Sequence, residues 1–183
     1  PEIVTVKSHL PPLDENCLIN KELPAIAYGF KSCSDKWKIR PVDKYLQSVR
    51  GEDSVLKLIG IDSDEQHRAI EAKAKWYTNR FPLIEWDMGR DECIESIQAA
   101  GLPSPGKSAC YFCPSSRPSE VKELAHQYPD LAARALLIES TAELTSIKGL
   151  GRNWAWSDLL ATDDMFEDDY GAAPDMACGC YDG

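Results

Sequence analysis

Three apolar stretches of the chain have the composition of β-strands. Glu2–Lys7 is short and β-prone, and the proline-punctuated segment that follows it to Gly29 predicts a long loop. Val55–Asp62 is almost continuously apolar, which is typical of a strand buried on both faces of a parallel sheet. Pro82–Trp86 is the third stretch. The sequence therefore predicts a few strands, one of them central in a parallel sheet.

Helical patterns alternate with these strands. The predicted helices are, in chain order, Asp43–Arg50, about Asp64 to Arg80, about Asp91 to Ala100, Ser119–Gln127, Asp130 to about Ile147, and Trp156–Leu160. Asp64, Ser119 and Asp130 are expected to cap their helices, and Gly149–Arg152 is expected to form a glycine-rich break. The order strand, helix, strand, helix predicts an α/β fold with a parallel sheet, followed by a helical C-terminal part.

Length and composition set the domain organisation. The chain has 183 residues, 43% of them hydrophobic, and this is enough for one ordinary core. We predict one domain over residues 1–152 and an acidic tail over 153–183, in which Asp163–Asp169 is a solvated linker. No apolar run approaches the roughly 20 residues that span a bilayer, and the N-terminus has no signal-peptide pattern. We expect a cytoplasmic protein without a membrane segment.

The charge is unevenly distributed. The net charge is −10, which does not favour binding to nucleic acid, but residues 153–183 contain eight acidic residues and no Lys or Arg. Residues 1–152 therefore carry 22 acidic against 20 basic residues. The stretch Lys31–Lys44 is locally basic. It could hold a phosphate or sulfate group, or it could be a solvated face.

Seven cysteines, an odd number, suggest thiol chemistry or metal binding rather than a disulfide framework in the cytoplasm. The C-x-x-C pattern Cys110–Cys113 places two sulfurs on one side of a tight loop, a geometry shared by zinc sites, iron–sulfur clusters and redox pairs. Candidates for the remaining ligands lie elsewhere in the chain: Cys33, Cys178 and Cys180. Cys17 and Cys93 lack a comparable sequence setting.

Five motifs follow one another in a specific order: Cys33–Lys38 with Arg40-Pro41, Gly60–Arg68, Cys110–Pro114, Gly149–Arg152 and Ala177–Gly183. In this order and spacing the chain resembles phosphoadenosine phosphosulfate (PAPS) reductases, and more closely the phage-encoded reductase-like proteins, within the PP-loop ATP-pyrophosphatase superfamily. The resemblance implies a partial Rossmann-like sheet of the adenine nucleotide alpha-hydrolase type, an adenine-nucleotide-type substrate and a role in sulfur metabolism.

The resemblance also implies a metal centre. Related adenylyl-sulfate reductases bind a 4Fe–4S cluster through a Cys-Cys pair and a C-x-x-C motif about 80 residues later. Here 77 residues separate Cys33 from Cys110, and Ser34 replaces the second cysteine of the pair. The implied ligands are three cysteines of the matched motifs, Cys33, Cys110 and Cys113, and one cysteine brought back by the tail, which is Cys180 or alternatively Cys178. Zinc, held by the same four thiolates, is the alternative to the cluster.

The tail matches the family motif Glu-Cys-Gly-x-His, whose cysteine attacks the sulfonyl sulfur. Cys178 is then the implied nucleophile, although Ala177 replaces the Glu and the His is absent. Basic residues of the matched motifs are the candidates for binding the sulfate or phosphate: Lys36, Lys38, Arg40, Arg68 and Arg152. Arg68 lies near a predicted helix start, where anions bind. Arginine is favoured over lysine for bidentate contacts to such groups.

The superfamily's phosphate loop, Ser-Gly-Gly-x-Asp-Ser, does not occur in this sequence and is expected upstream of Pro1. The expected partners are an N-terminal subunit that carries this loop or, alternatively, further copies of the chain in a homo-oligomer. Two functions remain open. The first is a PAPS reductase-like oxidoreductase or sulfurtransferase. The second is a non-catalytic partner with a structural zinc or cluster that binds a nucleotide or nucleic acid, for example in a nucleic-acid thiolation system.

Overall fold

A computed structural model describes residues 3–24, 26–27, 30–71, 74–105 and 108–162. These residues form two compact units. Of the described residues, the first unit contains 3–7 and 34–105, and the second contains 8–33 and 108–162. The predicted linker Asp163–Asp169 and the cysteines Cys178 and Cys180 lie outside the described residues.

Helices and strands are both present, and helices predominate. The described elements are, in chain order, α1 (Leu13–Asn20), β1 (Ile26–Ala27), β2 (Phe30–Lys31), α2 (Ser32–Ser34), a π-helical segment (Asp35–Ile39), α3 (Arg40–Val49), β3 (Val55–Leu58), a 3-10 helix (Ser63–Arg68), β4 (Tyr77–Arg80), α4 (Pro82–Glu85), α5 (Arg90–Ala99), α6 (Pro118–Gln127), α7 (Pro129–Thr141) and α8 (Trp156–Ala161). None of the helices in these ranges has both the length and the apolar character that crossing a membrane requires.

A parallel strand pair lies in the first unit. Val55 of β3 pairs with Tyr77 of β4, and the register continues along both strands. The predicted parallel pairing of this stretch is confirmed, but its predicted burial on both faces is wrong. Leu56 and Leu58 are 54% and 65% exposed, and burial alternates along β3. The stretch is therefore a half-exposed strand of a small parallel pair rather than a central one.

Lys57 connects this strand pair to α3. Its Nζ lies 2.5 Å from Asp43 Oδ1 and 3.6 Å from the centroid of the Tyr77 ring. The side chains of Lys57 and Asp43 are only 18% and 25% exposed, so the ion pair is partly shielded from water. A cation over an aromatic face adds to the attraction. Lys57 on β3 thus contacts both α3, through Asp43, and β4, through Tyr77.

The predicted helix from Asp64 to Arg80 is wrong. Asp62, not Asp64, caps the 3-10 helix, because its Oδ1 accepts a hydrogen bond from Glu65 N at 3.1 Å. The chain then becomes extended, and its aromatic and β-branched residues join the sheet as β4. Asp64 has a different role, since its Oδ2 accepts a hydrogen bond from Arg90 N at 2.8 Å, at the start of α5.

Two further predicted strands are also wrong. Pro82–Trp86 begins α4, because proline at the first position of a helix has the required φ and loses no hydrogen bond there. Residues 3–7 form no regular structure. Glu2 lies outside the described residues.

Most of the predicted helices are confirmed. The elements α3, α5, α6 and α8 cover the predicted ranges to within a few residues, and Gly101, with φ of 69°, ends the α5 region as a left-handed residue. The predicted caps of α6 and α7 are wrong. Arg117 precedes α6, and its N–H donates to Glu120 Oε2 at 2.8 Å, while Tyr128 precedes α7. The last helix before the glycine-rich break is shorter than predicted and ends at Thr141.

The second unit has a helical core. Helices α1 and α8 both pack on α7, and α6 packs on α7 and α8. The buried cluster between them consists of Cys17, Phe112, Val121, Ala135, Ile138, Leu150, Trp156 and Leu159. Helix α1 lies in the segment predicted as a loop. Pro12 immediately precedes it, and Asp14 and Glu15 in its first turn interact favourably with the helix dipole.

Candidate metal centre

The C-x-x-C sequence forms the predicted tight turn in the second unit. Cys113 N donates a hydrogen bond to Cys110 O at 3.0 Å, and Ser116 N donates to Cys113 O at 3.0 Å. Phe112 inserts into the core and is 3% exposed, whereas Cys110 is exposed and Cys113 is half-buried. The aromatic residue between the cysteines therefore anchors the turn and leaves a cysteine on each side of the anchor.

A polar network attaches this turn to α1 and α7. Tyr111 Oη donates to Asp14 Oδ2 at 2.9 Å. Arg134 Nε donates to the same Asp14 oxygen at 2.7 Å and to Tyr111 Oη at 3.1 Å. Because all three side chains are at least partly buried, these charge-assisted contacts hold the turn more firmly than a surface ion pair would. The position of the turn is thus fixed by two helices.

The network shifts the ionisation of its members. Burial alone would raise the pKa of Asp14, but the hydrogen bonds from Arg134 and Tyr111 outweigh burial and hold the pKa below its usual value. Burial and, after it, the hydrogen bond to Asp14 raise the pKa of Tyr111 to about 12. The Asp14 carboxylate and the neutral Tyr111 hydroxyl are therefore the forms that hold the turn at neutral pH.

This network predicts a pH dependence. A depressed pKa of Asp14 stabilises the fold above the unfolded pKa of about 3.9, and this contribution is lost as the pH falls through the folded value. We expect Asp14→Asn to be less stable than the wild type at pH 6 and to lose less stability between pH 6 and pH 3. Urea unfolding at several pH values measures this, with Glu15→Gln as the control on the exposed side of α1. Parallel pH curves for the wild type and Asp14→Asn would contradict the prediction.

Cys17 is a candidate site residue that sequence reasoning missed. It is 2% exposed on α1 and belongs to the same buried cluster as Phe112. Burial is the largest cause that raises the pKa of Cys17 to about 12, and the charges of Glu22, Asp14, Cys33 and Cys110 contribute to the increase. These groups therefore lie close enough to Cys17 to affect its ionisation. The available sequence signal was the helix-start pattern of α1, which places Cys17 on a helix.

Cys33 lies in α2, is half-buried, and belongs to the second unit together with the turn. The described cysteines form no disulfide with one another. Within the described ranges, no three His, Cys, Asp or Glu side chains converge closely enough to hold a metal ion. The donor type fits zinc or an iron–sulfur cluster, because thiolate is the preferred ligand of both. The unit thus collects suitable donors without bringing them to ligating distance.

The anion-binding candidates are divided between the two units. Four belong to the first unit, namely Lys36, Lys38, Arg40 and Arg68, and Arg152 belongs to the second. Arg40 lies 2.6 Å from Asp35 Oδ2, and Arg68 pairs with Glu65. The predicted position of Arg68 at a helix start is wrong, since it ends the 3-10 helix, so the dipole of that helix does not favour an anion there.

Arg152 lies in the predicted glycine-rich break and is exposed. It has a φ of 66°, and its carbonyl accepts a hydrogen bond from Lys148 N at 2.7 Å. A pocket of about 230 Å³ in the second unit is lined by Arg152 and Pro114, together with Glu22 and Glu143. Pro114 follows Cys113 directly. One anion-binding candidate and one flank of the cysteine turn therefore face the same pocket.

Glu139 on α7 organises this break, a role that no motif in the sequence indicates. Its Oε2 accepts hydrogen bonds from Leu150 N at 2.7 Å and Trp156 N at 2.8 Å, and its Oε1 accepts one from Ser157 N at 2.9 Å. Glu139 is 6% exposed, so these bonds are shielded from water. A side chain at Gly149 would collide with the Glu139 carboxylate and the Ala155 backbone. The carboxylate and the glycine together fix the loop that carries Arg152.

No protein-family model, curated protein or solved structure matches this chain. The assignment of its site therefore depends on the residues themselves. The described part contains three of the four predicted ligands, all in the second unit, and all five anion-binding candidates. Cys178 and Cys180 are outside it.

Proposed function

We propose that this chain is a PAPS reductase-like protein that binds an iron–sulfur cluster or zinc and acts on an adenylylated sulfate or in sulfur transfer. The observation that carries the proposal is the presence of Cys33 and the C-x-x-C turn in one compact unit, although 77 residues separate Cys33 from Cys110. The parallel pair β3–β4 supports a partial Rossmann-like sheet of the adenine nucleotide alpha-hydrolase type.

The ligand chemistry supports a thiolate centre. Cys33, Cys110 and Cys113 would each contribute a sulfur, and both a 4Fe–4S cluster and a structural zinc require four such ligands. When bound, either group would cross-link segments that are distant in sequence and so stabilise the second unit. The network of Asp14, Tyr111 and Arg134 holds the turn in place for this role.

The reaction would take place at the tail cysteine. The Cys178 thiolate attacks the sulfur of the adenylylated sulfate, and the bond from that sulfur to the phosphate oxygen breaks, so that the nucleotide leaves with the electron pair. An external thiolate then attacks Sγ of the S-sulfocysteine, which forms a disulfide and releases sulfite. The two thiols are oxidised, and the sulfur of the substrate is reduced by two electrons. Arg152 is the candidate for holding the anion in the pocket beside Pro114.

Sulfite release tests this reaction. The full chain, loaded anaerobically with iron and sulfide, is incubated with millimolar adenosine 5′-phosphosulfate and a dithiol. We expect Cys178→Ser to release sulfite at least about 100-fold more slowly than the wild type, and Cys93→Ser to match the wild type. Mass spectrometry before the dithiol is added should find the sulfonate on Cys178. A metal-loaded wild type that forms no sulfonate and releases no sulfite, even when the N-terminal phosphate-loop part is supplied, would contradict the reductase function.

That negative result would favour the second candidate, a non-catalytic partner with a structural centre that binds a nucleotide or a nucleic-acid end. The ion pairs Arg40–Asp35 and Arg68–Glu65 occupy two of the five anion-binding candidates, which weakens the case for the sulfate site that the first function requires. In either function, the phosphate loop would come from an N-terminal nucleotide-binding part that residues 1–183 do not contain.

A further inference from the structure

We propose that Cys17 is the fourth thiolate ligand of the centre formed with Cys33, Cys110 and Cys113, an assignment that rests on the metal or cluster function proposed above. Cys17 would supply the fourth sulfur, which Ser34 cannot provide and which the sequence analysis expected from Cys180. It also leaves both tail cysteines available for thiol chemistry.

The polar network orients the turn toward the face of α1 that carries Cys17. Asp14 and Cys17 are three residues apart on this helix and therefore share a face. Asp14 is the residue that accepts the hydrogen bond from Tyr111 at 2.9 Å, and Tyr111 lies inside the C-x-x-C turn. Arg134 holds both groups of this contact in place. The C-x-x-C turn is thus hydrogen-bonded to α1 at Asp14, three residues before Cys17.

The apolar packing leads to the same arrangement independently. Phe112, the other residue between Cys110 and Cys113, is 3% exposed and shares the buried cluster with Cys17. The segment between the two predicted ligands is therefore attached to α1 through a hydrogen bond and also belongs to the core that encloses Cys17. A thiol in the same core as the anchor of a C-x-x-C turn can add a further sulfur to a thiolate site.

Cys33, the remaining predicted ligand, lies in the same compact unit as the turn and Cys17, whereas Cys93 lies in the first unit on α5. Three thiolates from the matched motifs leave one position open in a four-ligand centre, and Cys17 is the described cysteine of that unit outside those motifs.

The alternative role for Cys17 is that of an ordinary apolar core residue, since cysteine is among the most buried residue types. The two roles differ in what happens when metal binds. As a ligand, Cys17 requires the Cys110 and Cys113 side chains to turn toward it on metal binding while Tyr111 and Phe112 stay anchored, because within the described ranges no three donors yet converge. As a core residue it would leave the affinity for metal unchanged.

A zinc titration separates the two roles. Zn²⁺ is added to the fully reduced full chain in competition with a chromophoric chelator, for the wild type and three variants: Cys17→Ala, Cys180→Ala and Cys93→Ala. We expect Cys17→Ala to weaken zinc binding at least about 100-fold, since a lost ligand costs at least as much as a lost supporting residue. We expect the other two variants to bind like the wild type. Circular dichroism of the metal-free proteins controls for folding.

A second measurement does not depend on the folding of Cys17→Ala. X-ray absorption of the zinc-loaded double variant Cys178→Ala/Cys180→Ala should count four sulfur ligands at about 2.3 Å. Three sulfurs in that variant, or unchanged affinity in a folded Cys17→Ala, would overturn the assignment of Cys17 while leaving the metal function intact. A wild type that binds neither zinc nor a cluster would overturn the metal function itself, and the assignment with it.

Discussion

Replacing Glu139 with alanine is expected to lower the free energy of unfolding of the second unit by about 4 kcal/mol. The carboxylate accepts hydrogen bonds from Leu150, Trp156 and Ser157 in a site that is 6% exposed. Without it, three shielded backbone donors lose their partner, and the desolvation of each is no longer compensated. Urea unfolding followed by tryptophan fluorescence measures the change, because Trp154 and Trp156 lie beside this loop.

The matched control is Glu123→Ala on α6, where the carboxylate is exposed and contacts Gln127 within its own helix. We expect that change to stay within about 0.5 kcal/mol. Glu139→Gln should fall between the two, because one amide oxygen replaces two acceptors and the amide nitrogen then faces a backbone N–H. Hydrogen exchange at the Leu150, Trp156 and Ser157 amides localises the effect. A Glu139→Ala protein as stable as Glu123→Ala would show that the carboxylate does not hold the loop.

The double variant Cys110→Ala/Cys113→Ala is expected to abolish metal binding. At a free zinc concentration about 1,000 times the dissociation constant, the wild type should gain about 4 kcal/mol of stability, and the double variant should gain none. The physical reason is that zinc binding contributes to folding when its ligands come from segments distant in sequence, as Cys33 and Cys110 do. Thermal unfolding with and without zinc measures the difference.

Cys93→Ala serves as the control for loss of a thiol, since Cys93 lies in the first unit. It should gain as much stability from zinc as the wild type. The double variant replaces only the two cysteines at the ends of the turn. Tyr111, which is hydrogen-bonded to α1, and Phe112, which packs in the core, are retained. The metal-free stability should therefore change little. A double variant that is still stabilised by zinc would exclude the C-x-x-C turn as the metal site.

The helices were predictable where local signals agreed. Helix α5 is followed by a glycine at positive φ, and α6 begins with proline, so their ends were encoded within a few residues. The strands were less predictable, because a strand also requires a partner. Residues 3–7 have β-prone side chains but form no ladder, whereas Tyr77–Arg80 becomes a strand by pairing with β3. Propensity alone does not contain this pairing.

The candidate site was predictable only where its residues formed a motif. The C-x-x-C turn is a local feature and was recognised from spacing alone. Cys17 stands alone in sequence, and its relation to the turn depends on the contact between Asp14 and Tyr111, which are distant in the chain. Glu139 was not found for the same reason, because the nearest backbone N–H that donates to its carboxylate belongs to Leu150, eleven residues later in the chain. Long-range contacts of this kind cannot be read from spacing.

The most direct test of the thiolate centre is the metal content of the full chain purified without oxygen. We predict about one equivalent of zinc per chain if the group is zinc. If the group is a cluster, we predict iron and sulfide in equal amounts and a broad absorbance at about 400 nm. The Cys110→Ala/Cys113→Ala protein should contain neither. A wild type that holds less than about one-tenth of an equivalent of either group, both as purified and after anaerobic reconstitution, would contradict the thiolate centre and the function built on it.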